Sequence, residues 1–237
     1  MKSSTRYLLI FISLFLWSSV SSAYNLITTT NGSNIKWGAT TALGTSGGIV
    51  EWSYNEAQFD ALFPSGTNYL SEINNAFSVW SSIADITFVN VTSGGDIQLK
   101  TSPIDNQFDI LAQALVFFTP TSNPSVWSIV SSEITFDSLD FWKTDFGEPS
   151  DSFDLFQVLS HEIGHAIGID HVSSDTISAL MNPFYTEGFR GLQADDIAAA
   201  QALYGLSAVP LPAAFWLFAT GLGLLISRGK YKTFQSH

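Results

Sequence analysis

The stretch HEIGHAIGIDH, residues 161–171, holds three of the chain's four histidines; the fourth, His237, is the last residue. Positions four apart on an α-helix share a face, so His161 and His165 project side by side and can grip one metal ion. Glu162 points beside that face. Gly168 permits a backbone conformation closed to other residues, which would end the helix and bring His171 back toward the same ion. Three neutral imidazoles and a water make an open tetrahedral zinc site, in which the pKa of the water falls to roughly 7. Glu162 is then placed to take a proton from that water and deliver it to a leaving amine. These residue types at this spacing suit hydrolysis of a peptide bond. A helix whose histidines are merely solvated or packed is the plain alternative, but it gives no reason for the spacing. The chain has no cysteine, so thiolate ligands, a cysteine nucleophile and disulfide staples are excluded.

The residues around this motif must supply a frame that holds it. Strand candidates, rich in Ile, Val, Phe, Trp and Tyr and bounded by Gly, Pro or Asn, are 49–54, 86–91, 96–100, 115–118 and 133–136. A first helix carries Leu70, Ile73, Phe77 and Trp80 on one face and ends before Ile86. A second runs from a cap at Asp151 through Phe153, Phe156, Leu159 and Ile163 toward Ile167, so that its C-terminal half contains the histidines. A third spans about 193–204 and stops at Gly205. Ser-, Thr-, Gly- and Asn-rich stretches near 28–48 and 119–132 read as loops. Together these elements make an α+β organisation.

Apolar runs at both ends flank this region. Residues 1–23 begin with Lys2 and Arg6, continue through an apolar run and close on small residues, the pattern of a secretory signal peptide cut after Ala23; an uncleaved anchor is the alternative. The other run, Val209 to Ile226, is followed by Arg228, Lys230 and Lys232 and reads as a C-terminal membrane segment with a cytoplasmic basic flank. A buried helix is its alternative. Residues 24–207 form one domain that carries all 21 acidic residues but only four of the nine basic ones. Nucleic acid is therefore excluded as a partner. The acidity suits either a cation-binding extracellular protein or a merely solubilising surface.

The zinc motif, matched at His161, Glu162, His165, Gly168 and His171, resembles that of the metzincin metalloproteases, and Met181 in SALMNPFY stands where they carry the methionine of the Met-turn. Among metzincins the chain is most similar to the matrixins, the family of the matrix metalloproteinases, through Met181, Pro183 and Tyr185 and the closing LQADDIAAAQALYG. KWG at 36–38, AFSVWSSIADITF at 76–88, GGDIQL at 94–99 and ITFDSLDFW at 134–142 follow in the family's order. The resemblance implies a zincin-like catalytic domain: a twisted, mostly parallel five-stranded sheet with three helices, and an active-site cleft between an upper subdomain and a small lower one after Gly168. It implies a zinc endopeptidase with one catalytic Zn2+ on His161, His165 and His171, and Glu162 as the catalytic residue. A protein or peptide substrate would pair with the strand edge near 111–114. Val158, Pro183 and Tyr185 match positions lining the main specificity pocket, with ordinary packing as the alternative for all three.

Some positions depart from the family. Gln113 and Thr135 stand where animal matrixins place histidines of a second, structural zinc, so that site is expected to be absent. Asp109, Asp137 and Asp140 fall near the family's calcium ligands and suit Ca2+ by their hard oxygens, or else are solvated acids. The stretch 24–35 holds no cysteine-switch motif, so any restraint on activity needs another device. Val172 and Ser173 follow His171 where matrixins place Ser directly.

The tail at 209–232 resembles the PEP-CTERM sorting signal of Gram-negative bacteria, with Pro210-Leu211-Pro212 in place of the eponymous Pro-Glu-Pro. This implies a sorting signal at 208–232 handled by exosortase-type machinery, membrane attachment through that segment, and export to the periplasm, cell surface or extracellular space. The reading is a secreted, monomeric zinc endopeptidase. A catalytically silent surface or biofilm-matrix binding protein of the same fold is the rival, which the intact Glu162 disfavours.

Overall fold

The computed structural model describes residues 24–207, apart from 39, 41, 148–150 and 176–177. The expected signal peptide and C-terminal sorting and membrane segment lie outside the described residues. In chain order the elements are β1 (Asn25–Leu26), β2 (Asn34–Lys36), β3 (Gly48–Tyr54), α1 (Glu56–Leu62), α2 (Tyr69–Ile83), β4 (Ile86–Asn90), β5 (Ile97–Ser102), β6 (Ala112–Thr119), β7 (Val126–Asp137), β8 (Trp142–Lys143), β9 (Phe153–Asp154), α3 (Leu155–Ala166), β10 (Ile169–Asp170) and α4 (Ala194–Tyr204). Among the described residues no helix is long and apolar enough to cross a membrane.

The main sheet runs β2-β7-β5-β3-β4, all parallel, and β6 lies antiparallel on β7. Period-2 alternation turns one face inward: Val50 and Trp52 of β3, Ile97 and Leu99 of β5, and Ile134 and Phe136 of β7 are all buried. The helix α2 answers with Tyr69, Ile73, Ala76, Phe77 and Trp80, a stripe at helical spacing. Trp52 stacks on Phe77 with ring centroids 4.5 Å apart, a contact worth about 1 kcal/mol beyond its burial. The Trp80 indole donates to the Ser160 carbonyl at 3.0 Å, which pins α2 against the buried helix α3.

Several sequence expectations shift. Among the described residues the main sheet has six strands and there are four helices, because the short β2 and α1 carry too few periodic residues to stand out. The stretch 119–132 is not all loop: β7 begins at Val126 and continues through Ser128, Ser131 and Ser132. The latter's hydroxyl donates to the Leu115 carbonyl at 3.1 Å, so a buried serine sits in a strand at little cost. Leu70 is exposed, and its neighbour Tyr69 takes the inward place. The helix cap is Asp154, not Asp151: its carboxylate accepts from the Gln157 N–H at 2.7 Å, and Phe153 lies in β9, ahead of the helix.

Candidate metal centre

The helix α3 ends at the site, so its last carbonyls need donors. They find them in distant parts of the chain. The Trp37 indole donates to Ala166 O at 2.8 Å, the Tyr204 hydroxyl to Ile167 O at 2.6 Å, and the Ile27 N–H to Gly168 O at 2.9 Å. Gly168 has φ 98°, and a Cβ there would run into the carbonyl oxygen of Ile35. Only glycine therefore allows the reversal into β10, which pairs antiparallel with β1 in the register Asn25↔Asp170 and Leu26↔Ile169. One residue further on, the Asn25 side-chain amide donates to the His171 carbonyl at 2.9 Å.

These supports bring His161, His165 and His171 together, with the three Nε2 atoms mutually 3.1 Å apart. The far nitrogens of two rings are anchored: His161 Nδ1 contacts Leu180 O at 2.7 Å and His165 Nδ1 contacts Ile169 O at 2.8 Å. A carbonyl accepts only, so Nδ1 carries the proton on these two rings and their Nε2 atoms present lone pairs. Burial, reinforced by the neighbouring rings, lowers His161 to about 3 and His165 to about 4. His171 is lowered by burial against the opposing pull of Asp170. Converging lone pairs on neutral rings repel unless a cation lies among them. Their spacing is close to the roughly 3.3 Å between two nitrogen ligands of tetrahedral zinc, and the residues fit that ion. Among the described residues this is the one cluster of three or more His, Cys, Asp or Glu that could hold a metal.

Glu162 lies beside the triad and is only 6% exposed. Burial pushes its carboxyl up to about 8, opposed by a hydrogen bond from the Ala114 N–H. Its Oε2 is buried without a protein partner and borders the cleft. The cleft has a volume of about 690 Å³ and is lined by Ala112, Gln113 and Ala114 of β6 and by Val158, Pro183 and Tyr185. Gln113 faces Thr135 across the β6–β7 ladder.

Beneath the histidines Met181 is buried, its thioether against Gly164, where an added Cβ would collide with it. The turn carrying Met181 is held by Asp196, whose carboxylate accepts from the N–H groups of Leu180 at 2.8 Å and Met181 at 3.0 Å. Asp196 thus fixes the carbonyl that orients His161, a role the sequence signalled only as an acid in a first helical turn. Val172, the departure after His171, is buried and its N–H donates to Met181 O at 3.0 Å. A polar chain anchors the loop beyond: the Tyr185 hydroxyl accepts from Asp154 N at 2.9 Å, and Arg190 pairs with Asp154 and Glu72 at 3.1 and 2.6 Å.

The expected calcium ligands are engaged by backbone. Asp137 accepts from Ile104, Asp105 and Leu139 N–H groups, and Asp140 from Phe108 N at 2.7 Å. Asp109 does not join them in a three-ligand cluster. Asp105 Oδ1 and Asp140 Oδ2 are nonetheless buried without partners.

A mostly parallel sheet laid over a buried helix that carries this histidine array defines the metzincin catalytic domain. Residues 64–205 match the family described as Matrixin, and the chain belongs to the matrixin family. It is 34% identical over 148 residues to interstitial collagenase of Bos taurus, covering 58% of this chain and 28% of that one. To karilysin of Tannerella forsythia it is 34% identical over 143 residues, covering 56% and 28%. To matrix metalloproteinase-26 of Homo sapiens it is 34% identical over 148 residues, covering 56% and 50%. The chain thus spans under a third of the collagenase and of karilysin. The family implies a catalytic zinc, which the histidine triad could hold.

Proposed function

We propose that this chain is an exported zinc-dependent endopeptidase with His161, His165 and His171 as ligands and Glu162 as general base and acid. The observation that carries the reading is three Nε2 atoms 3.1 Å apart beside a buried, half-partnered carboxyl at the floor of an open cleft. When bound, zinc supplies a Lewis acid that polarises a carbonyl and makes water more acidic. Leu180 O and Ile169 O hold two of the ligand rings in the tautomer that presents Nε2. Beside a bound cation, which opposes the effect of burial and favours the ionised form, the Glu162 carboxylate takes a proton from the attacking water on its free Oε2 and returns it to the leaving amine. The β6 edge offers backbone groups to an extended peptide, and the hollow between Val158, Pro183 and Tyr185 takes one of its side chains.

Export through residues 1–23, sorting and membrane attachment by an exosortase-type route through 208–232, and action as a monomer at or beyond the cell surface complete the proposal. The test is cleavage of casein and a peptide library by the purified chain and by Glu162→Ala. Chelator-sensitive hydrolysis lost in the variant supports it. Equal hydrolysis by both, or none by either with zinc present, overturns it.

A further inference from the structure

Among the described residues Phe108 is the one non-glycine with a left-handed backbone, φ 77°. Bulky side chains rarely adopt that conformation, and it persists only where its surroundings impose it. Here they do. Phe108 N donates to the buried Asp140, Ile104 N and Asp105 N to the buried Asp137, Ile110 N to Asp105 at 3.1 Å, and the Gln107 side chain to Leu139 O at 3.0 Å. Core burial does not repay this arrangement, because Phe108 remains 50% exposed. Its ring stands at the lip of the cleft, 6.0 Å from the ring of Phe153, which meets Tyr185 edge-on at 5.2 Å. The strained loop thus places an apolar ring on the wall of the cleft that Glu162 and the three histidines also line.

We infer that Phe108, backed by Phe153, forms a second apolar subsite that takes an aliphatic or aromatic substrate side chain on the C-terminal side of the scissile bond. This rests on the peptidase reading above. The direction follows for a substrate that adds to the open edge of β6 antiparallel, as β7 does on its other edge: β6 runs away from Phe108, from Ala112 to Thr119, and among the described residues pairs only with β7. A peptide laid antiparallel on the open edge therefore runs C-terminally toward Phe108.

The test uses the full chain, Phe108→Gly and Phe108→Ala, and paired peptides differing only in leucine or glycine at each position past the cleaved bond. The native chain favours leucine at one such position beyond the main pocket by roughly tenfold in kcat/KM, typical of one apolar contact. In both variants that ratio falls toward one. Glycine is at home in a left-handed backbone, so Phe108→Gly keeps its melting temperature, which separates loss of a subsite from loss of fold. A native ratio that survives in folded Phe108→Gly overturns the inference. The same peptides titrated onto Glu162→Ala read the subsite without turnover. Equal affinity for the pair there overturns the subsite, whereas absence of cleavage by the native chain overturns the peptidase reading instead.

Discussion

The thioether of Met181 lies against Gly164, between the two helical histidines, and leaves no room for a side chain at that position. The floor of the site is therefore set by a close approach of helix and turn. Gly164→Ala drives a methyl into Met181 and to within 3.2 Å of the Trp80 ring. Overpacking of this kind costs about 1–3 kcal/mol, and displaced support weakens metal affinity by roughly 10–100-fold. Denaturant unfolding and zinc competition with a chelator measure the two effects. Unchanged values for both would show that the turn yields freely.

Asn25 acts on the third histidine from 146 positions away, through its bond to the His171 carbonyl. Asn25→Ala leaves the helical pair intact but loosens the returning strand. Zinc affinity is expected to fall by roughly tenfold, with a loss of stability of only about 1 kcal/mol. Cobalt substitution reads the ligand geometry directly, and a native cobalt spectrum together with native zinc affinity in the variant counts against this role.

Lys36 is 1% exposed, with its ammonium on Thr40 O, Thr45 Oγ1 and Ser46 O and 5.3 Å from the centre of the Tyr204 ring. Burial lowers its pKa from 10.5 to about 8, opposed by Asp85. The unfolded chain thus binds this proton more tightly than the folded one. Stability rises as pH climbs from 8 to 10.5, and the contribution is lost as pH falls back through 8. The gain relative to Lys36→Met is at most about 3 kcal/mol. Urea unfolding of both chains across this range checks it; parallel profiles would refute it.

Calcium is expected to act near Asp105 and Asp140, whose unpartnered buried oxygens are costly as they stand. Burial raises the Asp140 carboxyl, against the Phe108 N–H and with the help of the nearby acids, and a cation would reverse that. Millimolar calcium should raise the melting temperature by several degrees, and Asp140→Asn should abolish the response. A melting curve indifferent to calcium would dismiss the site.

The histidines, Glu162 and Met181 were legible in the sequence because helical period and a glycine reversal are local signals. The sheet was legible where apolar residues alternate, as in β3, and illegible where serines do the same work, as in β7. Asn25, Trp37, Asp196 and Tyr204 carried no such signal. Each matters through one bond to a segment far along the chain, and no periodicity encodes a contact of that kind. The paired Asp151 and Asp154 show the same limit on a smaller scale, since either could cap α3 until Gln157 and Arg190 choose between them.

The carbonyls closing α3 are satisfied by Trp37 on one side and Tyr204 on the other. In time, this means that a nascent chain past His171 but short of Tyr204 already holds all three histidines without the hydroxyl that fastens the end of their helix. On the peptidase reading, the site would be complete only with the last helix, after synthesis of the domain is all but finished.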